Sequence, residues 1–440
     1  MNTDTNIKQG YKQTSLGILP QEWEVVRLGE VFQVSSGATP LRQNKLFWEN
    51  PTIQWVKIGD LNNSFIISTE EKISLLALKK TTCKLLPKNT LLIAMYGGFN
   101  QIGRTGILSI EATTNQAISA LIPKNNKISP IFVNACLLLN KEKWKEFAIS
   151  SRKDPNITKT DIEKFQIPLP PLTEQEKIAQ ILSVWDKGIS VLKSLIEAKT
   201  KRKKALMQRL LTPPCESPTP SLRASETSAA IYNKSVDCHD LTASNLAMTE
   251  KNSKAEQSLR FAEFTDKWQE MRLGDICEIY QPQTIPQSDF TKEGYNVYGA
   301  NGIIGKYHSY NHEKEQIAIA CRGNSCGAVN FTNPKSWITG NAMVINLDNS
   351  KNADKIFVYY VLLNSNLNYL VTGSGQPQIT SNIKKHSIKL PTLAEQKKIA
   401  QVLSACDKEI ELLKSKFQCL KTQKKGLMQR LLNGEVRVKY

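Results

Sequence analysis

A segment of 43 residues occurs twice in this chain of 440 residues. Residues 169–211 and 390–432 align without a gap, and about 25 of the 43 positions are identical. The first copy ends in "KKALMQRLL" and the second in "KKGLMQRLL". Self-similarity of this extent indicates a fold built from two copies of one unit. The repeat therefore requires the two halves of the chain to fold on one plan.

Three weaker landmarks precede each copy in the same order, and the sequence between them does not repeat. The pairs are "EWEVVRLGEV" (22–31) with "KWQEMRLGDI" (267–276), "IFVNACLLLN" (131–140) with "IFVYYVLLN" (356–364), and "ITKTDIEKFQIPLP" (157–170) with "ITSNIKKHSIKLP" (379–391). The repeating unit is therefore a variable globular domain followed by a constant segment.

Apolar residues in the constant segment recur at alternating steps of four and three, which is the pattern of a coiled coil. The seam residues are Ile178, Leu182, Trp185, Ile189, Leu192, Leu206 and Leu210 in the first copy, and Ile399, Leu403, Ile410, Leu413, Phe417, Leu427 and Leu431 in the second. Each helix of about 40 residues would be roughly 60 Å long. Because an isolated apolar stripe is unfavourable in water, we expect the two helices to pack on each other as an antiparallel coiled coil with a pseudo-twofold axis.

If the two helices pair antiparallel over their full length, their register is determined. In that register Lys203, which interrupts the first seam, lies beside Cys406, and Lys424 lies beside Trp185.

The globular domains contain short β-like runs separated by Gly and Asn turns, each set followed by one helix, at about 130–149 and 353–370. The runs are "TIQWVKIG", "NTLLIAMYG", "QIAIACRG" and "AMVINL". The predicted fold class is α+β: two mixed α/β domains joined by two long helices in a tandem repeat. The predicted segments are a first domain (1–168), a first helix (169–211), a flexible linker rich in Pro, Ser and Thr (212–260), a second domain (261–389), a second helix (390–432) and a tail (433–440).

The net charge of +18 favours a polyanionic partner. Each constant segment holds nine basic and four acidic side chains, so the two segments carry +10 of that charge. Two interpretations stay open for the densest run, "KTKRKK" (199–204): a solvated face of a coiled coil, or a strut that lies near phosphates. A basic coiled-coil scaffold that binds RNA or acidic proteins is the alternative function.

The sequence contains no phosphate-binding loop, no dinucleotide-binding glycine motif and no Asn-Pro-Pro-aromatic motif of amino-methyltransferases. His308 and His312 lie in a polar, turn-like stretch without a third ligand, so no metal site is predicted. Nine scattered cysteines without a CxxC pair indicate reduced thiols in the cytoplasm, and no membrane partner is expected.

Polar loops of the globular domains suit recognition of DNA bases. Arginine pairs with guanine in the major groove, and asparagine or glutamine pairs with adenine. For any single residue, an ordinary turn or surface role is the competing interpretation. The candidates are Arg42, Gln43, Asn100, Gln101, Arg104, Arg152 and Lys153 in the first domain, and Arg322, Asn324, Gln376 and Gln378 in the second.

The arrangement resembles the specificity (S) subunit of type I restriction-modification systems. The resemblance covers nearly the whole chain except residues 212–260, a stretch longer than the short junction usual in the family. The motifs that carry it are "LPQEWEVVRLGEV" and "FTDKWQEMRLGDI" at the start of each unit, "LPPLTEQEKIAQIL" and "LPTLAEQKKIAQVL" at the start of each helix, and "LMQRLL" at both helix ends.

The resemblance implies that each globular domain is a target recognition domain that binds one half of a split site in double-stranded DNA. It implies that the helices set the spacing between the halves and dock two methyltransferase (M) subunits, which methylate adenine, and that restriction (R) subunits join them. S-adenosylmethionine, ATP and magnesium would belong to those partners, so this chain would have no catalytic residue and no cofactor. Whether methylation and cleavage share one partner chain is left open.

Overall fold

A computed structural model describes residues 7–148, 156–214, 258–373 and 377–438. The chain divides into two compact units. The first unit combines Met1–Ser194 with Lys414–Tyr440, and the second unit is Leu195–Leu413. Each unit therefore contains one globular domain and a part of each long helix.

The globular domain of the first unit contains twelve described strands and five short helices. The strands are β1 (Tyr11–Thr14), β2 (Gly17–Pro20), β3 (Glu24–Arg27), β4 (Phe32–Ser36), β5 (Ile53–Val56), β6 (Phe65–Ile66), β7 (Glu71–Ile73), β8 (Leu91–Ala94), β9 (Thr105–Leu108), β10 (Thr113–Thr114), β11 (Ile118–Pro123) and β12 (Gln166–Leu169). The helices are α1 (Leu28–Val31), α2 (Leu75–Lys80), α3 (Pro130–Leu139), α4 (Trp144–Phe147) and α5 (Lys159–Lys164).

A five-stranded sheet of order β4-β11-β8-β9-β6 forms the centre of this domain, and a three-stranded sheet has the order β10-β5-β7. All four residues of β8 are buried, as expected of a short apolar run in the middle of a sheet. Successive side chains of β8 point to opposite faces: Leu91 and Ile93 pack in the cluster that holds Phe132 of α3, and Leu92 and Ala94 pack in a second cluster.

The globular domain of the second unit contains nine strands and two helices among its described residues. They are β13 (Gln269–Arg272), β14 (Glu278–Tyr280), β15 (Tyr295–Gly299), β16 (Gly302–Tyr307), β17 (Ile317–Ala320), β18 (Val329–Phe331), β19 (Trp337–Ile338), β20 (Ala342–Asn346), β21 (Ser387–Leu390), α7 (Leu273–Ile276) and α8 (Lys355–Asn364). Its main sheet has the order β14-β20-β17-β18, and a smaller one has the order β16-β15-β19.

The two domains share one plan. The order β4-β11-β8-β9 in the first corresponds to β14-β20-β17-β18 in the second, and the edge pair β3–β12 corresponds to β13–β21. Equivalent backbone bonds join equivalent residues: the amide of Leu28 donates to the carbonyl of Phe165, and the amide of Leu273 donates to the carbonyl of His386, each at 2.9 Å. The predicted fold class, a tandem repeat of mixed domains with two long helices, is confirmed.

The long helices are α6 (Leu172–Leu210) and α9 (Leu393–Leu432), and they pair antiparallel within each unit. In the second unit Lys199 contacts Glu409 at 2.7 Å and Lys203 contacts Asp407 at 2.5 Å, so the partner number falls as the α6 number rises. In the first unit Lys424 contacts Asp186 at 2.5 Å. These partners differ by one residue from the predicted Cys406 and Trp185, because each lysine extends from the seam to the neighbouring carboxylate.

The seam residues are most deeply buried where the helices meet the globular domains. Trp185, Ile189, Leu206, Leu413, Phe417 and Leu427 are half-buried, and the other predicted seam residues, Ile178, Leu182, Leu192, Leu210, Ile399, Leu403, Ile410 and Leu431, are buried. Near the "LMQRLL" ends, Met207 and Met428 are more deeply buried than Leu206 and Leu427 beside them.

The structure gives the helix boundaries more finely than the predicted segments 169–211 and 390–432. Leu169 and Leu390 end strands β12 and β21, and the helices begin after the intervening prolines, at Leu172 and Leu393. The predicted helix at 130–149 consists of α3 and α4, separated by a short 3-10 turn over Lys141–Lys143. The second, predicted at 353–370, spans Lys355–Asn364.

The predicted linker, 212–260, lies mostly outside the described residues, but both of its ends are placed. In the second unit the amide of Leu259 donates to the carbonyl of Arg209 at 3.0 Å, and in the first unit the amide of Val436 donates to the carbonyl of Arg430 at 3.1 Å. These two bonds are equivalent, because Arg209 and Arg430 occupy the same position of the repeat. In the part of the chain that the structure describes, no helix is long and apolar enough to cross a membrane.

Candidate nucleic-acid interface

A hairpin loop between two neighbouring antiparallel strands of the main sheet presents polar side chains in both units. We define it as residues 95–103, between β8 and β9, and residues 321–327, between β17 and β18. Its base is closed by equivalent bonds, since the amide of Gly103 donates to the carbonyl of Ala94 at 3.0 Å and the amide of Gly327 donates to the carbonyl of Ala320 at 2.8 Å. Gly103 has φ +73° and Gly327 has φ +90°, a left-handed backbone that favours glycine.

A second segment, distant in sequence, meets the hairpin loop in each unit. The amide of Ile157 donates to the carbonyl of Met95, and the amide of Ile379 donates to the carbonyl of Cys321, both at 3.0 Å. The candidates Arg152, Lys153, Gln376 and Gln378 belong to the residues that lead into these two isoleucines. Folding therefore places Ile157 and Ile379 beside the hairpin loops, which sequence spacing could not show.

The second unit brings two candidates side by side. Arg322 and Gln378 form an isolated antiparallel bridge, and both residues are exposed. They line a cavity of about 350 Å³ with Gln281, Thr380, Ser381 and Lys384, four polar residues that were not among the candidates. Asn324 is exposed on the same hairpin loop. This cavity rim combines arginine, lysine, glutamine and hydroxyl groups, which are the donors and acceptors that contact bases and phosphates.

The hairpin loop of the first unit is longer and has a different chemistry. Asn100 is exposed at its tip. Gln101 and Arg104 bond to each other, with Arg104 Nη1 donating to Gln101 Oε1 at 2.8 Å, and the second guanidinium nitrogen donates to the carbonyl of Leu61. The side chains of Gln101 and Arg104 therefore stabilise the conformation of the loop, and the exposed amide of Asn100 is the group that can contact a ligand.

Two exposed aromatic residues on this loop were not among the candidates. Tyr96 and Phe99 have exposed fractions of 42% and 52%. The sequence "YGGFN" (96–100) indicated a turn, because paired glycines mark loops, and an aromatic residue beside them could have been predicted to be exposed.

Arg42 and Gln43 lie on another loop, between β4 and β5. Arg42 stacks over the ring of Trp48 at 3.9 Å and contacts Glu71 at 2.6 Å. The Arg42 guanidinium and then the Lys57 ammonium hold the pKa of Glu71 below its usual value. Arg42 is thus fixed in orientation while about half of its side chain, 53%, is exposed, and Gln43 is exposed beside it. Arg152, Lys153 and Gln376 lie outside the described residues.

The "EQ" pair at the start of each long helix is a positioning element that sequence reasoning passed over as a helix lead-in. Gln175 donates to the carbonyls of Lys127 and Pro170 and accepts from the amide of Ser129, the N-cap of α3. Gln396 makes the same three contacts in the second unit, with Asn352, Pro391 and Asp354. Each glutamine is fully buried and ties a long helix to the domain beside it.

No group of three His, Cys, Asp or Glu side chains that could hold a metal ion occurs within the described ranges. His312 is buried, with Nε2 at 3.0 Å from the hydroxyl of Tyr280, so it is a satisfied internal histidine, whereas His308 is exposed.

Comparison with known proteins agrees with this architecture. Residues 20–199 and 265–422 match the family described as type I restriction modification DNA specificity domain. The chain is 26% identical over 454 residues to a putative type I restriction enzyme MjaX specificity subunit of Methanocaldococcus jannaschii, covering 98% of each chain. It is 24% identical to the type I restriction enzyme EcoprrI specificity subunit of Escherichia coli, covering 88% of each.

Solved structures share the fold. The S subunit of a type I restriction-modification system from M. genitalium superposes with a TM-score of 0.58 at 16% identity, covering 98% of both chains. A chain from a structure concerned with assembly of the type I R-M system gives a TM-score of 0.54 at 17% identity, covering 95% of this chain and 99% of that one.

Proposed function

Because the chain belongs to the family of type I restriction-modification DNA specificity domains, we propose that each of its units binds one half of a bipartite DNA site. The two hairpin loops differ in length and in nearly every side chain. Unlike loops on a common scaffold read unlike sequences, so the site is asymmetric. The long helices, which run through both units, set the distance between the halves.

The adjacency of Arg322 and Gln378 carries this proposal. Both are exposed, they come from separate parts of the chain, and they share the rim of one cavity. A guanidinium pairs with the O6 and N7 atoms of guanine, and an amide pairs with the N6 and N7 atoms of adenine. Lys384 on the same rim supplies a charge for a phosphate. In the first unit, Asn100, Arg42 and Gln43 are the described candidates with exposed polar groups.

The chain itself recognises DNA, and the chemistry belongs to its partners. Two methyltransferase subunits bind the helices, restriction subunits join the complex, and S-adenosylmethionine, ATP and magnesium bind to those subunits. The absence from the sequence of phosphate-loop and amino-methyltransferase motifs supports this division. The assembly operates in the cytoplasm, where thiols stay reduced; all seven described cysteines are free.

Substituting the cavity rim tests the proposal. Arg322→Ala and Gln378→Ala are each expected to weaken binding of the cognate duplex by about 5- to 100-fold, the value of one bidentate base contact, and to relax specificity at one base pair of one half-site. Methylated adenines mapped in cells that carry each variant give the measurement, since they report the recognised sequence directly.

Lys351→Ala is the matched control, because it removes one positive charge from an exposed position of the same unit outside the cavity rim. A methylation map that is unchanged in Arg322→Ala and Gln378→Ala would contradict the assignment of base contacts to these two residues. Binding that is independent of DNA sequence across a salt titration, with and without the methyltransferase, would favour the basic scaffold instead.

A further inference from the structure

The helix that follows the main sheet differs between the two units at one decisive position. Alignment of "IFVNACLLLN" with "IFVYYVLLN" places Ala135 of α3 opposite Tyr360 of α8. In the second unit Tyr360 is only 3% exposed and packs against the helix pair. Its hydroxyl donates to Asp407 Oδ2 at 2.7 Å and lies 3.4 Å from Ser404 Oγ. Lys203, which also bonds to Asp407, lies 5.1 Å from the centre of the tyrosine ring.

The first unit contains the same surroundings without the tyrosine. Ser183, Asp186 and Lys424 correspond to Ser404, Asp407 and Lys203, and Lys424 bonds to Asp186 at 2.5 Å, as its counterpart does. Ala135 ends at its Cβ atom, so the space that the tyrosine fills in the second unit is open here. It forms a groove of about 280 Å³, lined among others by Ala135, Leu138, Leu182, Ser183, Asp186 and Lys424. We call it the α3 groove.

A further feature indicates that the α3 groove accepts a ligand with an apolar body and a polar tip. Phe65 and Ile131 line the groove and keep exposed fractions of 39% and 38%. Exposed apolar groups around the Asp186–Lys424 pair match a side chain with an apolar ring and a hydroxyl end.

We propose that the α3 groove binds a tyrosine side chain presented by a partner protein, in the arrangement that Tyr360 adopts inside the second unit. The phenol hydroxyl donates to Asp186, the ring lies near the Lys424 ammonium, and Leu138 and Leu182 contact the apolar part of the ring. The assignment of the partner as the methyltransferase subunit rests on the proposed function. Because the second unit fills its own equivalent space, the described part of each chain offers this groove in the first unit and not in the second.

Binding of 4-methylphenol, the side chain of tyrosine, to the full-length protein tests the groove without any partner. Saturable binding at one site is expected, with a dissociation constant on the order of 1 mM for so small a ligand. Toluene, which lacks the hydroxyl, is expected to bind at least fivefold more weakly because it cannot donate to Asp186. Ligand-observed nuclear magnetic resonance measures both.

Three variants make this result specific. Ala135→Tyr fills the groove from within and is expected to abolish binding, whereas Val184→Tyr, on an exposed position of α6 outside the lining, leaves it unchanged. Tyr360→Ala opens the equivalent space in the second unit and raises the number of sites from one to two, which keeps the test decisive if Ala135→Tyr does not fold. Absence of saturable binding to the wild-type protein, or undiminished binding to folded Ala135→Tyr, overturns the proposal.

The partner is tested with the purified methyltransferase subunit of the same system. Ala135→Tyr is expected to weaken binding of the methyltransferase copy at the first unit at least tenfold and to leave the second copy bound as before, whereas Val184→Tyr binds both copies as the wild-type chain does. Equal binding to Ala135→Tyr overturns the tyrosine contact and leaves the proposed function intact. Failure of the methyltransferase subunit to bind even the wild-type chain contradicts the proposed function, while the 4-methylphenol result still decides whether the groove accepts a phenol.

Discussion

A fully buried glutamate stands in the first turn of each long helix, and its partners differ between the two units. Glu395 accepts two bonds from Arg260, from Nε at 2.9 Å and from Nη2 at 2.8 Å. Glu174 accepts from Arg437 and also from the indole of Trp23 at 3.0 Å. Trp268, the counterpart of Trp23, has an indole nitrogen without a partner in the described part of the chain. Glu395 therefore depends more heavily on its arginine.

Removing each arginine should reveal this difference. Arg260→Ala leaves the buried Glu395 carboxylate without its charged partner and is expected to lower the free energy of unfolding of the second unit by about 3–5 kcal/mol. Arg437→Ala, its matched control in the first unit, should cost less because Trp23 still donates to Glu174. Hydrogen exchange in increasing denaturant measures the two units separately, and equal losses would contradict the assignment.

His386 couples the stability of the second unit to pH. It is buried, its Nδ1 atom lies 2.6 Å from the Tyr369 hydroxyl, and its Nε2 atom has no partner among the described residues. Burial lowers the pKa of His386 below its ordinary value of 6.5, because a charged ring would be desolvated. Below that value the unfolded chain binds the proton more readily than the folded one, so stability is lost as the pH falls.

The expected result is a melting temperature of the second unit that decreases as the pH is lowered below about 6.5, with a weaker decrease in His386→Gln. Burial also lowers the pKa of His312, so His386→Gln removes only part of the dependence. His308→Gln, at an exposed histidine of the same unit, is the control and should leave the dependence as it is. The same pH slope in His386→Gln and the wild type would exclude His386 as a source.

At the scale of elements, the proposed spacing role depends on how α6 and α9 pair within each unit. They run antiparallel, with ion pairs at Asp186–Lys424 in the first unit and at Lys199–Glu409 and Lys203–Asp407 in the second. Any change in the length of one helix must be matched in the other, because a lone insertion would shift one set of partners against the other set.

A paired insertion tests this property. Seven residues added after Ser194 and seven added after Leu413 lengthen each helix by about 10 Å, which corresponds to about three base pairs of DNA. The gap between the half-sites is expected to increase, while both half-site sequences stay the same. Methylation maps measure the gap, and the single insertion after Ser194 serves as a control that should destabilise the helix pair. An unchanged gap in the paired variant would contradict a role of the helices in spacing.

At the scale of the whole molecule, the long segment that follows α6 connects two points of the second unit that are close together in space. Val436 follows Arg430 by six residues, whereas Leu259 follows the equivalent residue, Arg209, by fifty residues. In both places the same backbone bond joins the two ends. The intervening residues are therefore an insertion at a point that a short turn can bridge.

Deletion of residues 215–257, with a short glycine bridge in their place, is expected to leave the melting temperature and DNA affinity of the protein within error of the wild type. The physical reason is that the Leu259–Arg209 bond and the Arg260–Glu395 pair remain intact. Calorimetry and a duplex-binding titration give the measurement. A large loss of either quantity would show that the segment contributes to folding or to recognition.

The sequence by itself determined the repeat, the two long helices and their antiparallel register to within one residue. Heptad periodicity can be recognised in a single stretch of sequence. When the same segment occurs twice, the apolar seam of one copy is complementary to the seam of the other. The short apolar runs at 91–94, 317–320 and 342–346 were also visible as strands, because a buried strand interior is a continuous apolar run.

Only the tertiary structure decided which polar residues act together. Arg322 and Gln378 are 56 residues apart, and nothing in their local sequence indicates that a bridge joins them. Likewise the roles of Gln175 and Gln396, and the α3 groove at Ala135, depend on how the long helices pack against helices that are distant in sequence. Such contacts depend on packing between distant segments, so they leave no period in the sequence from which they could be predicted.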